Sequence, residues 1–351
     1  MADQAKLEAF VGKMVGDMGA AMSAALVVLG DRLGLYKALA EAGPSTSAEL
    51  AARTGTHERN VREWLAAQAA AGYVDFDRPG GKFSLSPEQA MVFADDNGPA
   101  FMAGGFEVLA SLFIDEPKVA EAFRTGKGLG WHEHHQCLFS GTERFFRPGY
   151  NANLVSSWIP ALDGVEAKLR AGATVADVGC GHGASTVLMA KAYPASRFVG
   201  FDYHGPSIER AKQAAKAEGV SDRASFQVAS AADFPGDDYG LVTIFDALHD
   251  MGDPVGAARH IRGVLARDGA WMLVEPFAHD DMADNLNAFG RLFYSASTMI
   301  CTPASMSQEV GLGLGAQAGE GRLRRVVEEA GFTRFRRATE TPFNLVFEVR
   351  P

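Results

Sequence analysis

Hydrophobic positions along the chain change period twice. From Asp3 to Gly30 apolar and small residues recur at helical spacing (MVGDMGAAMSAALVVLG in its centre), which predicts one or two helices with few charges. Leu33, Leu35, Leu39 and Ala40 continue a helix that stops at Gly43-Pro44. Ser47 opens a short helix, Gly55-Thr56 breaks it, and Glu58 to Ala70 makes another. Gly72 to Phe76 and Lys82 to Leu85, on either side of Gly80-Gly81, read as two small strands in a tight hairpin. Three helices followed by a hairpin make a winged-helix pattern.

Between about Phe101 and Pro160 the chain is rich in aromatic residues, among them Trp131, Tyr150 and Trp158. Such a connector is expected to form core and to line a pocket. From Thr174 onward, short apolar runs alternate with helical patterns. The runs are Val175 to Val178, Arg197 to Phe201, Ala224 to Val228, Tyr239 to Phe245 and Ala270 to Val274, with Phe332 to Ala338 and Phe343 to Val349 as a closing antiparallel pair. Tyr239 to Phe245 is nearly all apolar, as a parallel strand buried on both faces must be. The fold class is therefore α/β, a Rossmann-like seven-stranded sheet preceded by a mostly helical winged-helix module. The expected divisions are residues 1–97, a connector over 98–160 and a catalytic domain over 161–351, with a cover over 295–319.

The candidate chemistry gathers where the first of these strands turns into a helix. In TVADVGCGHGASTVLMA, Gly179, Gly181 and Gly183 separate strand from helix. Glycine tolerates positive φ and lets a ligand approach the backbone, while free amides at the helix start favour polar groups. Gly179, Gly181 and Ala184 also satisfy a dinucleotide spacing. Asp177, two residues before the first glycine, is a poor neighbour for a pyrophosphate and suits a ligand ammonium instead. Asp202, closing the second strand, suits the two hydroxyls of a ribose.

DVGCGHG followed by GFDYHGPSIERAKQAA resembles the nucleotide half of class I S-adenosylmethionine-dependent methyltransferases. The resemblance implies S-adenosylmethionine as cofactor, bound by the loop at Gly179, Cys180, Gly181 and Gly183. It places Asp177 near the amino-acid end, Asp202 at the ribose and Asp233 at the adenine, with Tyr203, Ala232 and Phe234 as further cofactor contacts. Asp246, at the end of the fourth strand, joins this set. ALHDMGDP resembles the segment that carries the catalytic histidine of plant-type and polyketide O-methyltransferases, with Met251 where that family has tryptophan. By that resemblance His249 is the base, Asp250 stands beside it, and Glu275, at the end of the adjacent strand, supports it. A histidine near its ordinary value of about 6.5 can take the proton of a phenol or enol. The N-terminal order GLYKALAEAGPSTSAELAARTG resembles the dimerisation module of small-molecule O-methyltransferases and implies a homodimer.

Composition narrows the alternatives. Over 351 residues, 47% are hydrophobic and 22% charged, as in an ordinary globular protein. The net charge is −10, and Arg59 and Arg62 are matched by Glu58 and Glu63 on the candidate recognition helix, so nucleic acid is not an expected partner. Ala20 to Leu29 is apolar but shorter than a bilayer requires, and neither a membrane segment nor a leader is expected. Three scattered cysteines point to a reducing compartment such as the cytoplasm. His132, Glu133, His135 and Glu143 lack the spacing that puts two imidazoles on one helical face, and no metal is expected. Trp131, His135, Tyr150, Asn153, Met299 and Met306 are the candidate substrate contacts, with Cys301 and Leu312 beside the last two. The reading is methyl transfer to a hydroxyl of a small aromatic or polyketide-like metabolite. Its rivals are N- or C-methylation, a winged-helix regulator that senses the cofactor, and an NAD enzyme.

Overall fold

The computed structural model describes residues 2–351. The chain divides into two units. The first holds the chain up to Phe113 together with Gln136–Pro148, and the second holds Ile114–His135 together with Gly149–Pro351.

In the first unit, α1 (Gln4–Arg32), α2 (Leu35–Ala42), α3 (Ser47–Thr54) and α4 (Glu58–Ala70) precede a hairpin of β1 (Asp75–Asp77) and β2 (Lys82–Ser84) and then α5 (Pro87–Phe93). The starts of α3 and α5 are written in the sequence as capping boxes, Thr46 with Glu49 and Ser86 with Gln89. Leu35, Tyr36, Leu39, Leu50, Val61 and Trp64 close a small core. Arg59 and Arg62 on α4 are paired with Glu63 and Glu58, each at 2.5 Å.

The first helix is a single element, where one or two were expected. It runs unbroken for 29 residues, with Phe10, Val15, Met18 and Met22 all more than half exposed. By length and composition it is long and apolar enough to cross a membrane, and only 11% of its most apolar window is buried. Reading Ala20 to Leu29 alone underestimated it, because the helix runs on through the Lys13–Asp17 pair, 2.6 Å apart, to Gln4.

Two long helices run through both units, α6 (Ala103–Thr125) and α7 (Gln136–Asn153). In the first unit Arg144 on α7 grips Asp31 with two hydrogen bonds, at 2.7 and 3.0 Å, and reaches Glu107 at 3.3 Å. Removing this guanidinium would leave two poorly exposed carboxylates facing each other. Arg144→Ala should cost about 2–3 kcal/mol in urea unfolding of the full chain, somewhat less than for a fully buried pair.

In the second unit, α8 (Val165–Ala171) leads into a seven-stranded sheet. Its strands are β3 (Thr174–Val178), β4 (Arg197–Asp202), β5 (Ala224–Val228), β6 (Tyr239–Phe245), β7 (Leu265–Pro276), β8 (Arg334–Glu340) and β9 (Asn344–Arg350). They lie in the order β5-β4-β3-β6-β7-β9-β8. The first five are parallel, and β9 pairs antiparallel with both β7 and β8. Strand order reverses between β3 and β6, whose carboxyl ends therefore open a crevice. The helices α9 (Ala184–Ala192), α10 (Gly205–Ala217) and α11 (Pro254–Val264) link the parallel strands. Past β7, α12 (Ala288–Ala296) passes through a π-helical turn at Ser297–Cys301 into α13 (Thr302–Met306), and α14 (Gly319–Glu329) precedes β8. The segment expected to be a cover over 295–319 is thus helical in its first half, with Ile300, Cys301, Ala304 and Ser305 buried.

Candidate active site

The glycine turn follows β3 at the point of strand-order reversal. Gly179, Gly181 and Gly183 have φ of 74°, 52° and 80°, a region that costs other residues strain. A side chain on Gly183 would also meet the Phe226 ring at 2.8 Å, whereas above Gly181 there is open space.

Four amides of this turn are taken up within the chain. Gly179 and Cys180 both donate to the Phe201 carbonyl, at 2.8 and 3.0 Å, and Gly183 donates to Cys180. Gly181 donates to Asp202 Oδ2 at 2.9 Å. The turn therefore offers close approach of its backbone, with the Gly179, Cys180, Gly181 and Gly183 amides already engaged.

Asp177 differs from its expected place at a ligand ammonium. It is 1% exposed, and its carboxylate accepts hydrogen bonds from Ser185, Thr186 and Thr243 at 2.7, 2.5 and 2.9 Å. It braces the turn from beneath. Burial still raises its pKa, against the pull of those three hydroxyls.

The orphaned carboxylate is Asp246, immediately after β6. Its φ of 49° is one of two positive values among the described non-glycine residues. Oδ1 accepts from Asn344 at 2.8 Å, while Oδ2 is buried with no partner. Burial, with repulsion from Glu275, lifts its pKa well above the carboxylate range. The neighbouring Ala247 sits so close to Gly179 that a Cβ there would meet it at 3.1 Å, so Asp246 adjoins the turn. His182 adds a second buried polar atom without a partner, its Nδ1. Burial and the nearby Arg210 push its ring down to about 4, leaving it neutral.

Asp202 lies partly exposed on the far side, with His204 N–H on its other oxygen at 2.8 Å. An open glycine turn flanked by two carboxylates and a neutral imidazole fits a ligand with an ammonium and a sugar. The remaining predicted contacts are mixed. Tyr203, Ala232 and Asp233 are exposed near this edge. Phe234 is not: it is 1% exposed, packed on Phe201 with ring centroids 5.0 Å apart, and its side chain belongs to the core.

Beyond Asp246 the chain makes one short turn and presents His249, 3% exposed. Nδ1 of the ring lies 2.5 Å from Glu275 Oε2, and Glu275 Oε1 accepts the Leu248 N–H at 3.0 Å. Glu275, 2% exposed, comes from β7, the strand paired with β6. On the other side His249 Nε2 approaches Asp250 Oδ1 at 3.2 Å, a close charge contact that lacks the alignment of a hydrogen bond. Burial disfavours the charged ring, but Glu275 and Asp250 outweigh it and hold its pKa well above the ordinary value. The base is stronger than an ordinary histidine and correspondingly more often protonated.

Cys301, from the π-helical turn, completes this cluster. The thiol interacts with both His249 and Asp250, and burial pushes it up to about 12. The donor atoms of His249, Asp250 and Cys301 lie within 4.8 Å of one another.

The predicted substrate contacts are only partly drawn in. Tyr150 is buried, its ring 5.2 Å from that of Phe245. Met299 is half-buried in the turn that carries Cys301, and Met306 is 40% exposed on α13. Asn153 is spent on its own helix, donating to the Gly149 carbonyl at 2.9 Å. Trp131 and His135 are half-buried, and the His135 N–H donates to Asp115 at 2.8 Å. A surface cavity of about 230 Å³, lined by Phe277, Asp280, Glu320, Arg324 and Arg337, involves none of these groups.

A methyltransferase-domain family model matches residues 169–331, and a winged helix-turn-helix model of the Rv2258c-like type matches residues 21–94. The whole chain can be superposed on mitomycin 7-O-methyltransferase MmcR with a TM-score of 0.70 at 21% identity, covering 99% of this chain and 100% of that one. Human N-acetylserotonin methyltransferase in complex with S-adenosylmethionine gives a TM-score of 0.70 at 17% identity, covering 99% and 98%. The chain has a class I S-adenosylmethionine-dependent methyltransferase fold, with a winged-helix domain before it. An uncharacterised methyltransferase of Bacillus subtilis (strain 168), YcgJ, is 32% identical over 117 residues, which span 33% of this chain and 45% of that protein. Within the methyltransferase fold, the expected cofactor side of the crevice is the glycine turn with Asp202 and Asp246. The His249–Glu275 pair lies at the carboxyl ends of the adjacent strands β6 and β7.

Proposed function

We propose that the chain transfers a methyl group from S-adenosylmethionine to a hydroxyl of a small aromatic or polyketide-like metabolite. The observation that carries this reading is the buried His249–Glu275 pair at the carboxyl ends of two adjacent strands, next to the glycine turn. The cofactor supplies an electrophilic methyl on a sulfonium.

On this chain, Asp202 would hold the ribose hydroxyls and the unpaired Oδ2 of Asp246 the ammonium. His249 takes the acceptor proton at Nε2 as the oxygen becomes nucleophilic. Glu275 fixes the tautomer through Nδ1 and offsets the charge that forms on the ring. The oxygen functions in the names of MmcR and of the neocarzinostatin enzyme NcsB1, which has a TM-score of 0.59, support a hydroxyl acceptor. Incubating the protein with methyl-labelled S-adenosylmethionine and a set of phenolic and enolic arenes should place label on oxygen. Label on nitrogen or carbon alone would contradict the hydroxyl reading.

The same proposal includes a homodimer through the N-terminal unit. The exposed apolar face of α1 supports it, since a second copy would cover Phe10, Val15, Met18 and Met22. The acid-paired Arg59 and Arg62 speak against duplex binding by α4. Sedimentation should give twice the mass of one chain, and Met18→Glu with Met22→Glu should halve it. Protein that stays monomeric, or that floats with liposomes, would contradict the dimer.

A further inference from the structure

The second unit contains another carboxylate–imidazole pair that the proposed reaction leaves unused. His134 follows the short turn at Trp131–Glu133, and its Nδ1 lies 3.1 Å from Asp115 Oδ2 on α6. Both side chains are 1% exposed. Asp115 Oδ2 also accepts the His135 N–H at 2.8 Å, and Oδ1 meets the Lys118 ammonium at 3.1 Å. Burial would raise the Asp115 carboxyl, but these donors together hold it below its usual range, so it is ionised. An ionised carboxylate only accepts, so the hydrogen of the His134 ring sits on Nδ1. The other nitrogen, Nε2, then carries a lone pair, and it is buried with no partner. Burial keeps the ring itself below its ordinary value, hence neutral.

The position of His134 follows from two contacts. The segment ahead of His134 is tied to α13, which follows directly on Cys301, through Leu129 N–H donating to the Pro303 carbonyl at 2.9 Å. A side chain on Gly128, at φ 73°, would run into that same carbonyl at 2.3 Å. His134 and Asp250 are also close enough for each to feel the other's charge. His134 is thus anchored close to the segment that carries Cys301 and to Asp250.

We propose that His134, oriented by Asp115, is a second recognition group for the methyl acceptor: its Nε2 accepts a hydrogen bond from an O–H or N–H other than the one methylated. This rests on the methyl-transfer reading of the His249 site. It narrows the acceptor to molecules with a second polar hydrogen besides the one lost on methylation, such as dihydroxy- or amino-hydroxyarenes. A site built around a hydrogen bond discriminates strongly against an analogue that lacks the donor, because the buried acceptor is then left unpaired. The arrangement of two imidazoles backed by carboxylates is also one that supports a bound cation, and the test separates the two.

The full chain, with ring-15N-labelled histidine and saturated with S-adenosylhomocysteine, is titrated with 2,3-dihydroxynaphthalene and, separately, 2-naphthol. The His134 resonance is identified by its loss in His134→Gln. We expect a non-protonated Nε2 that moves with the diol and not with 2-naphthol. In turnover with S-adenosylmethionine, the diol should be favoured by at least about tenfold in kcat/KM. His134→Gln and Asp115→Asn should erase that preference by losses on the diol alone, with S-adenosylhomocysteine affinity unchanged. An Nε2 signal unmoved by both probes at millimolar concentration overturns the proposal, as does a proportional loss on both acceptors. A signal that moves only when zinc(II) is added, together with that of His249, assigns the pair to a cation and also overturns it. Methylation of 2-naphthol alongside an inert His134 leaves the methyl-transfer reading standing and removes only this inference. Movement with the diol without turnover does the reverse.

Discussion

His249→Ala should lower methyl transfer by about a hundredfold to ten-thousandfold at neutral pH, the range by which a positioned general base contributes. The loss should fall on kcat, because the ring takes its proton as the methyl is transferred and gives little to ground-state binding. Cofactor affinity should be unchanged, since the proposed cofactor contacts lie at the glycine turn, Asp202 and Asp246. A competition assay with S-adenosylhomocysteine, run beside turnover kinetics, checks both halves. Retention of more than about a tenth of the activity would mean that the site works by alignment alone, as an N- or C-methylating enzyme can.

The second large effect concerns pH. Glu275 and Asp250 hold the His249 ring above its ordinary value against the effect of burial. The neutral, proton-accepting ring therefore becomes abundant only above that raised pKa, and wild-type kcat should climb with pH beyond 7. Glu275→Gln removes the nearer carboxylate, 2.5 Å from Nδ1. Desolvation then weighs more heavily and the ring pKa falls. The rising limb should move to lower pH, while the plateau drops because the imidazolium formed in the transition state has lost its counter-charge. The plateau loss is expected to be about tenfold to a hundredfold, part of what a general base contributes. Buffered kcat profiles of the two proteins decide it, and an unshifted limb in Glu275→Gln would detach the histidine from the profile.

The sequence made the sheet and half of the site legible, for a physical reason. A buried parallel strand leaves an apolar run, and a chemical group at its carboxyl end is the first polar residue after that run. Asp246 and His249 after Phe245, and Glu275 after Val274, could be read in this way, because adjacent strands of a doubly wound sheet bring their ends together. What stayed hidden depends on partners distant in sequence. The amides of Gly179 and Cys180 look free until β4 supplies the Phe201 carbonyl. Asp177 looks available until Thr243 reaches it from β6. Among the residues of WHEHH, spacing could weigh His132 and His135 for metal binding, but nothing local marks His134 as buried against Asp115, 19 residues earlier. Cys301 was visible as a pocket candidate, yet its place beside His249 depends on how the π-helical turn closes.

These readings all assume that the turn above Gly181 receives S-adenosylmethionine, with its sugar on Asp202. Calorimetric titration of the purified full chain with S-adenosylmethionine, S-adenosylhomocysteine and NADH tests that assumption most directly. The account predicts one S-adenosyl ligand per chain with micromolar affinity, no heat from NADH, and loss of binding in Asp202→Ala. Uptake of NADH in place of the S-adenosyl compounds, or no uptake of either at millimolar concentration, would contradict it.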